Sequence, residues 1–212
     1  MPLCVYVSVG NSSTHQTVFG GRLLAVEAKR NFMAELLVTY LEMTQRPTHP
    51  PCLPPQADLK ILREAKLSIA QYLYLQKTVG GPWQWDERLA LTEDELDVII
   101  HNPEVDLLVL YCGRVIAGFC EMDRRRFPDI EIKFFGLMPE FIGQGLGSYF
   151  LNRAIAAAWE HCPTRLWLHT DTNDHPRALS TYERAGFQVY KQVMENFTVS
   201  PLVRLDATQA PS

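Results

Sequence analysis

A glycine-rich turn between a strand and a helix constrains this chain more than any other feature. Residues 131–147 read EIKFFGLMPEFIGQGLG, in which an apolar strand with one carboxylate leads to Gly143, Gly145 and Gly147. Glycine lets backbone N–H groups approach a ligand closely, and the helix that follows directs the positive end of its dipole to the same place. The segment therefore favours a pyrophosphate site, although glycines also serve tight turns that bind nothing.

A second motif follows downstream. Residues 166–187 read LWLHTDTNDHPRALSTYERAGF, which is typical of a strand, a polar loop, a short helix carrying Tyr182 and a turn at Gly186. In this order the two motifs resemble the GNAT superfamily of N-acetyltransferases. Its members wrap the pyrophosphate of acetyl coenzyme A (acetyl-CoA) with a Q/R-x-x-G-x-G/A turn and carry a tyrosine on a later helix. The resemblance covers residues 57–205, and WQWDERL, FFGLMPEFIGQGLG and HTDTNDHPRAL are similar to phrases of a bacterial branch of the superfamily.

The resemblance implies a fold of the α/β class, of the α+β kind. We expect a mixed, mostly antiparallel central sheet that contains one pair of parallel, splayed strands, with helices on both faces. The N-acetyltransferase domain would occupy residues 57–205. Before it we expect a disordered extension over residues 1–33, and an extra strand with a Pro-rich linker over residues 34–56. Residues 206–212 would form a tail.

Local patterns predict the order of the elements. Ser68 can cap the first helix of the domain, and Thr92 forms a capping box with Glu95 at the second. Three β patterns joined by short turns predict an antiparallel meander, and helical spacing of apolar residues predicts a long helix after the glycine turn. The predicted strands are 34–43, 59–65, 106–112, 115–123, 129–138, 165–170, 187–193 and 196–204, and the later helices are 146–161 and 176–185.

Composition and charge exclude several functional classes. The formal net charge is -4 at pH 7, so a broad basic surface is lacking and nucleic acid is not an expected partner. The basic cluster at residues 124–126 fits a solvated hairpin tip, and we assign it no catalytic role. No apolar run reaches the length of about 18 residues that predicts a membrane span, so we expect no membrane partner. The cysteines show no C-x-x-C spacing, which favours a reducing compartment and predicts a cytoplasmic protein.

The resemblance assigns the binding of acetyl-CoA to the glycine turn and its surroundings. The implied contacts are Leu137, Gly143, Gln144, Gly145, Leu146, Gly147, Ser148 and His175. Ile142 stands where the family has Gln or Arg, so one side-chain contact is lost. We expect binding to survive, because main-chain N–H groups and the helix dipole supply most phosphate contacts. His175 lies where many members carry an asparagine, and a capping role is equally open for it. No His, Cys and carboxylate spacing predicts a metal site.

The resemblance also implies two residues that transfer protons. Tyr182 takes the place of the family's tyrosine, whose phenol could protonate the leaving thiolate, and a tyrosine packed in the core is the alternative. Glu131 lies where histone-modifying members have their general base and could accept the amine proton through water. A salt bridge with Lys133 is the other role open to Glu131. Glu121 on the neighbouring strand is a second candidate base, and many members use no protein base at all.

The acceptor site is predicted between the first two helices. Trp83 and Trp85 lie in this segment, which borders the acceptor site in the superfamily, and Glu121 and Phe134 complete the predicted substrate-binding set. Two indoles beside Asp86 can stack on an apolar or cationic amine. The same indoles could instead close the core.

Together these patterns predict an acetyl-CoA-dependent N-acetyltransferase. It would act on a primary amine of a small molecule or peptide by direct attack in a ternary complex. The alternative from a different class is a module that binds acetyl-CoA or CoA without useful catalysis. A Rossmann dinucleotide enzyme is a poor match, because Gly143-x-Gly145-x-Gly147 lacks the G-x-G-x-x-G spacing. The sequence leaves a homodimer as open as a monomer.

Overall fold

The computed structural model describes residues 32–48 and 52–199. Residues Leu36–Glu195 form one compact unit. The extension predicted for residues 1–33 lies almost wholly outside the described residues, and the tail predicted for 206–212 lies entirely outside them. The residues that build the site belong to Leu36–Glu195.

A seven-stranded sheet with the order β2-β3-β4-β5-β6-β1-β7 runs through the described chain. The strands are β1 Phe32–Met43, β2 Leu59–Arg63, β3 Val105–Cys112, β4 Val115–Asp123, β5 Asp129–Leu137, β6 Arg165–Asp171 and β7 Gln188–Val199. Among the pairs with a described register, β5 and β6 run parallel and the others run antiparallel. The predicted α/β class with a mixed, mostly antiparallel sheet is confirmed.

The described chain contains four α-helices. They are α1 Ile69–Leu75, α2 Glu93–Ile100, α3 Leu146–Trp159 and α4 Ala178–Arg184. The predicted caps are present, since the side chains of Ser68 and Thr92 each accept a hydrogen bond from a backbone N–H of the first turn. The side chains of Gln71 and Glu95 in turn accept hydrogen bonds from the backbone N–H groups of Ser68 and Thr92, which the helix leaves unpaired. None of the described helices has the length and apolar character needed to cross a membrane.

Apolar clusters lie on the two faces of the sheet. Leu107 and Leu108 are neighbours on β3 but belong to different clusters, because successive side chains of a strand point to opposite faces. The Leu108 cluster contains α3, whose buried residues are Leu146, Phe150, Leu151, Ala154, Ile155, Ala158 and Trp159. The Leu107 cluster contains Tyr72 of α1 and Leu96 of α2. The prediction of helices on both faces is therefore confirmed.

The parallel strands β5 and β6 separate after a short paired stretch. They pair at three positions, of which the last is Glu131 with Trp167. Nevertheless β5 extends to Leu137 and β6 to Asp171, and β5 stays paired with β4 as far as Leu137. A cleft therefore opens between β5 and β6 beyond Glu131, as predicted for a splayed pair.

Two strands near the chain ends differ from the sequence predictions. The sequence predicts two strands at 187–193 and 196–204, whereas β7 is one continuous strand to Val199, because no proline or glycine interrupts it there; residues 200–204 lie outside the described residues. The strand β1 precedes the Pro-rich linker, yet it lies between β6 and β7 and pairs with β6 from Val38–Asp171 to Met43–Leu166. The sheet thus includes residues that come before the segment 57–205.

Candidate functional site

The glycine turn forms one end of a cavity of about 330 Å³. We name it the turn cavity; its lining includes Leu137, Gly143, Gly145, Gly147 and Tyr182. Gly143 and Gly145 take φ angles of 84° and 78°, which residues with a side chain rarely adopt. A Cβ at Gly143 would meet no atom within 4 Å, and the nearest atom to a Cβ at Gly145 would be a Pro55 carbon at 4.0 Å. The backbone of the turn is therefore open to a ligand.

The start of α3 adds hydrogen-bond donors to this end of the cavity. Gly145 is the N-cap residue and provides no side-chain hydrogen bond to the helix. The first N–H groups of an α-helix have no partner within the helix, and they carry the positive end of its dipole. Ser148 in the first turn also lines the cavity. These groups can bind phosphate oxygens without a charged side chain, which fits a pyrophosphate.

Tyr182 on α4 is a buried residue that lines the turn cavity. Its ring packs edge-on against Phe135 and Phe187, with ring centroids 6.4 Å and 6.2 Å away. The described side chains offer its hydroxyl no hydrogen-bond partner, although the residue lines the cavity. Burial raises the pKa of the phenol well above its ordinary value, so the group stays protonated around neutral pH. Tyr182 therefore combines a fixed ring with an available O–H donor.

Trp85 closes one side of the turn cavity. The chain after α1 continues as a π-helical turn over Gln76–Gly80 and a short 3₁₀ turn, which bring the indole against Gly80 and Gly136. A Cβ at Gly80 would lie 2.6 Å from Trp85 Cε3, so glycine is required for this close packing. The indole N–H donates a hydrogen bond to Asp174 Oδ1 at 2.9 Å. Trp85 thus spans from the segment after α1 to the loop after β6.

Further contacts tie the same two segments together. Asn173 Nδ2 donates to the Trp83 carbonyl oxygen at 2.7 Å, and the rings of Trp83 and His175 meet edge to face with centroids 5.4 Å apart. His175 Nδ1 accepts a hydrogen bond from the Arg177 N–H at 3.1 Å. His175 therefore contacts the backbone just before α4, whose N-cap residue is Arg177, and it also lines the turn cavity.

Most of the residues predicted to contact acetyl-CoA meet at this cavity, namely Leu137, Gly143, Gly145, Gly147, Ser148 and His175. The side chains of Gln144 and Leu146 do not line it. Gln144 Nε2 donates to the Glu140 carbonyl oxygen at 2.7 Å, and Leu146 is fully buried in the core. Trp83 and Trp85, predicted for the acceptor site, line this same cavity.

A second cavity, of about 600 Å³, borders the point where β5 and β6 separate. Its lining includes Glu131 and Lys133 of β5 and Trp167 and His169 of β6, together with charged residues from the β4–β5 hairpin and the segment before α2. We name it the charged cavity. Alternate residues of a strand share a face, which explains why each strand contributes a pair of side chains two positions apart.

Glu131 lies in the charged cavity in long ion pairs with Lys133, the alternative left open for it, and with His169, and no described group forms a hydrogen bond with its side chain. Its Oε1 atom is 3.7 Å from Lys133 Nζ and 3.8 Å from His169 Nδ1, longer than a hydrogen bond. Lys133 instead pairs with Glu87 at 2.9 Å. Burial raises the pKa of Glu131, an effect that Lys133 and His169 partly offset, and burial lowers the pKa of His169. Glu131 is therefore a carboxylate with open hydrogen-bonding capacity beside an imidazole whose burial favours the neutral form.

Glu121 and Phe134 line neither of these cavities. The Glu121 side chain is fully buried, pairs with Arg88 at 2.7 Å and accepts a hydrogen bond from the Tyr72 hydroxyl. A carboxylate occupied in this way cannot receive an acceptor, so the structure corrects the expectation that Glu121 is a base or a substrate contact. Phe134 is buried against Trp85, with ring centroids 5.5 Å apart, and supports that indole from behind.

The structure places Tyr182 and Glu131 in different cavities. The sequence analysis did not predict most of the charged cavity, including His169. It assigned the arginines at 124–126 to a solvated hairpin tip, whereas Arg125 and Arg126 line the charged cavity. Strand alternation from Trp167 could have identified His169 as a residue on the same face. The arginines gave no such signal, because a hairpin tip has no fixed period.

Comparison with known proteins identifies the family of this chain. The model of the acetyltransferase (GNAT) family matches residues 69–187, more than half of the chain. No curated protein matches the chain.

Three solved structures share the fold at low sequence identity. A functionally unknown conserved protein from Staphylococcus epidermidis is 18% identical, with a TM-score of 0.54, and the match covers 76% of this chain and 60% of that protein. A GCN5-related N-acetyltransferase from Sphaerobacter thermophilus is 16% identical, with a TM-score of 0.53, and the match covers 79% of this chain and 52% of that protein. A GCN5-related N-acetyltransferase from Kribbella flavida is 15% identical, with a TM-score of 0.52, and the match covers 79% of this chain and 60% of that protein. The chain thus spans only part of the length of the proteins it resembles.

The family match runs from the first residue of α1 to the residue before β7. It therefore includes β5 and β6 and the residues of these strands that line the two cavities. The solved structures share the overall fold of this chain. This chain therefore belongs to the acetyltransferase (GNAT) family.

Proposed function

We propose that the chain is an acetyl-CoA-dependent N-acetyltransferase that moves an acetyl group to a primary amine of a small molecule or peptide. Transfer would occur by direct attack in a ternary complex. The observation that carries the proposal is the turn cavity, whose lining includes both the uncapped start of α3 and Tyr182. One end can hold phosphate oxygens and the other can donate a proton. Family membership supports the same activity.

The turn cavity would hold the donor by its phosphates and by its apolar arm. Gly143, Gly145 and Gly147 offer backbone rather than side chains, so the pyrophosphate can approach the first N–H groups of α3. Leu137 and Val79 provide apolar surface between this turn and Tyr182. The contacts for phosphate and for the arm therefore follow each other along one cavity.

Tyr182 would serve the leaving group. Acetyl transfer forms a bond between the amine nitrogen and the acetyl carbon and breaks the bond from that carbon to sulfur, so the sulfur gains negative charge. A thiol has a pKa of about 8.5 and a phenol one of about 10. Because burial raises the pKa of Tyr182 further, its role is to donate a hydrogen bond as charge develops rather than to release its proton early.

Glu131 would accept the proton that the amine loses. An aliphatic ammonium has a pKa of about 10.4, so most of the acceptor is charged at neutral pH and must lose a proton before attack. Glu131 is the last residue of β5 that pairs with β6 before the cleft opens, and it lines the charged cavity. In this proposal the amine approaches from the charged cavity, and a water molecule links it to the carboxylate.

One observation favours the second candidate function, a module that binds acetyl-CoA or CoA without useful catalysis. Tyr182 and Glu131 line different cavities, so the donor and the acceptor of protons do not share one enclosed space. A protein that only binds the cofactor would need the glycine turn but neither of these residues. The two candidates therefore differ in turnover and agree in cofactor binding.

The proposal includes a cytoplasmic setting. Cys52, Cys112, Cys120 and Cys162 are free thiols, as is typical of proteins in a reducing compartment. The proposed partners are acetyl-CoA and a primary amine of a small molecule or peptide.

The test is an assay of acetyl-CoA with a panel of primary amines, in which released CoA thiol is measured together with the melting temperature of the protein. We expect thiol release with at least one amine and a rise of Tm with acetyl-CoA. A rise of Tm without thiol release for any amine would support the binding module. An unchanged Tm without thiol release would contradict both candidates.

A further inference from the structure

The charged cavity contains charges of both signs in equal number. Four carboxylates and four cationic side chains line it. Most of these groups already have a close partner of opposite charge. The pairs are Arg88–Glu87 at 3.1 Å, Arg125–Asp123 at 2.6 Å, Lys133–Glu87 at 2.9 Å and Arg165–Asp129 at 2.7 Å, where Arg165 lies outside the lining. Arg88 also pairs with the buried Glu121 at 2.7 Å.

Two charged groups of the lining lack such a partner among the described residues. Glu131 has its closest cationic atom at 3.7 Å, and its side chain is only 15% exposed. Arg126 is exposed at the β4–β5 hairpin, and its guanidinium forms no ion pair or hydrogen bond with a described side chain. The cavity therefore has one carboxylate that can still accept a hydrogen bond, that of Glu131, and one guanidinium that can still donate one, that of Arg126.

An aromatic wall accompanies these two groups. Tyr40 and Trp167 line the cavity and stack on each other, with ring centroids 6.4 Å apart and planes at 26°. His169 lies beside Tyr40, with centroids 5.7 Å apart. Such rings provide contact area for a carbon skeleton between two charged ends.

A ligand complementary to this lining carries both charges. An ammonium group gains a charge-assisted hydrogen bond from a carboxylate with open capacity, and a carboxylate gains one from a guanidinium. A simple amine would satisfy Glu131 but leave Arg126 unused. A ligand with one ammonium and one carboxylate would satisfy both without changing the net charge of the cavity.

We propose that the charged cavity binds an amine acceptor that also carries a carboxylate, with its amine beside Glu131 and its carboxylate beside Arg126. The inference rests on the proposed acetyl transfer and names the substrate class for it. The amine then lies at the point where β5 and β6 separate, and the carboxylate lies toward the β4–β5 hairpin.

The first arm of the test compares matched acceptors that differ only in the carboxylate. Suitable pairs are tyrosine with tyramine, β-alanine with ethylamine and γ-aminobutyrate with propylamine. Thiol release is measured at saturating acetyl-CoA. In at least one pair the carboxylated member has a kcat/KM higher by about tenfold or more, as one charge-assisted hydrogen bond predicts.

The second arm uses two variants with the same change of charge. Arg126→Gln raises KM for the carboxylated acceptor by about tenfold and leaves the simple amine unaffected. Arg114→Gln is the control, because Arg114 is exposed in the turn between β3 and β4 and lines neither cavity. Arg114→Gln leaves both acceptors unaffected.

A binding measurement separates this inference from the proposed function. The same ligand pairs are titrated calorimetrically into the protein saturated with CoA, so no turnover is needed. Tighter binding of a carboxylated member, weakened by Arg126→Gln, supports the inference even if no amine is acetylated, in which case only the proposed activity fails. Equal or weaker binding of the carboxylated member in every pair, or equal effects of the two variants, overturns the inference.

Discussion

The turn cavity and the charged cavity lie beside the same pair of strands but are built from different parts of the chain. The turn cavity presents glycine backbone, the start of α3 and mostly apolar side chains. The charged cavity presents charged and aromatic side chains from several distant segments. The ligand of a cavity made of backbone depends on the fold itself, whereas a cavity made of side chains can change its ligand without changing the fold.

Burial has a different chemical result in each cavity. In the turn cavity it raises the pKa of Tyr182 and keeps a neutral O–H donor. In the charged cavity it raises the pKa of Glu131, which makes that carboxylate a better proton acceptor than an exposed glutamate. In the proposed reaction the two cavities would therefore supply the donor and the acceptor of protons. Substitutions in each cavity test these separate roles, and the one with the largest expected effect comes first.

Gly145→Glu should remove the function of the turn cavity completely. Gly145 has a φ of 78°, and a glutamate there would place a carboxylate where the phosphate is expected to bind. We expect the rise in Tm caused by acetyl-CoA to disappear. Differential scanning fluorimetry with and without acetyl-CoA measures this effect.

Gly113→Glu is the matched control for this substitution. Gly113 has a φ of 61° in the turn between β3 and β4, and a Cβ there would meet no atom within 4 Å. Both variants carry a backbone strain of about 1–2 kcal/mol. Only Gly145→Glu should lose the acetyl-CoA effect, and a variant that kept it would show that the donor binds elsewhere.

Tyr182→Phe should lower kcat by about 10³-fold while leaving the affinity for acetyl-CoA unchanged. The ring contacts to Phe135 and Phe187 remain, and only the hydroxyl is removed. Single-turnover thiol release and the acetyl-CoA effect on Tm measure the two quantities. Tyr149→Phe on α3 is the control, since Tyr149 lines neither cavity. An unchanged kcat in Tyr182→Phe would exclude the phenol from the reaction.

Glu131→Gln should have the smallest effect, a loss of about 10²-fold in kcat/KM for the amine, because water can replace part of a base. Glu131 accepts a proton only when ionised, and burial raises its pKa. As the pH is lowered, the rate of the unmodified protein should therefore begin to fall at a higher pH than it would if the base were an exposed glutamate. This limb of the pH–rate profile should vanish in Glu131→Gln.

Glu160→Gln serves as the control for that profile, because Glu160 is exposed at the end of α3 and lines neither cavity. It should keep the limb and the rate. If the limb persisted in Glu131→Gln, the titrating base would be another group of the charged cavity, and His169 would be the next residue to replace.

The sequence predicts the parts of the molecule that depend on neighbours along the chain. The caps at Ser68 and Thr92 act within one helical turn, and the buried stripe of α3 follows from spacing alone. The glycine turn belongs to the same group, because Gly143 and Gly145 and the start of α3 are adjacent. All of these features could be recognised before the structure was known.

The parts that depend on distant segments could not be predicted. Glu121 looked like a candidate base, but Arg88, 33 residues away, and Tyr72, 49 residues away, occupy its carboxylate. The charged cavity combines β1, the segment before α2, the β4–β5 hairpin and β6. Only the order of strands in the sheet brings these residues together, and side-chain patterns along a single strand do not reveal it.

The position of β1 has a consequence for how the protein assembles. On the ribosome β1 is made first among the strands, yet its partner β6 follows only after β2 to β5 have been made. Pairing Val38 with Asp171 closes a very long loop, and contacts of this kind form slowly. The five strands β2 to β6 can assemble in sequence order, so the insertion of β1 is expected to be a late step in folding.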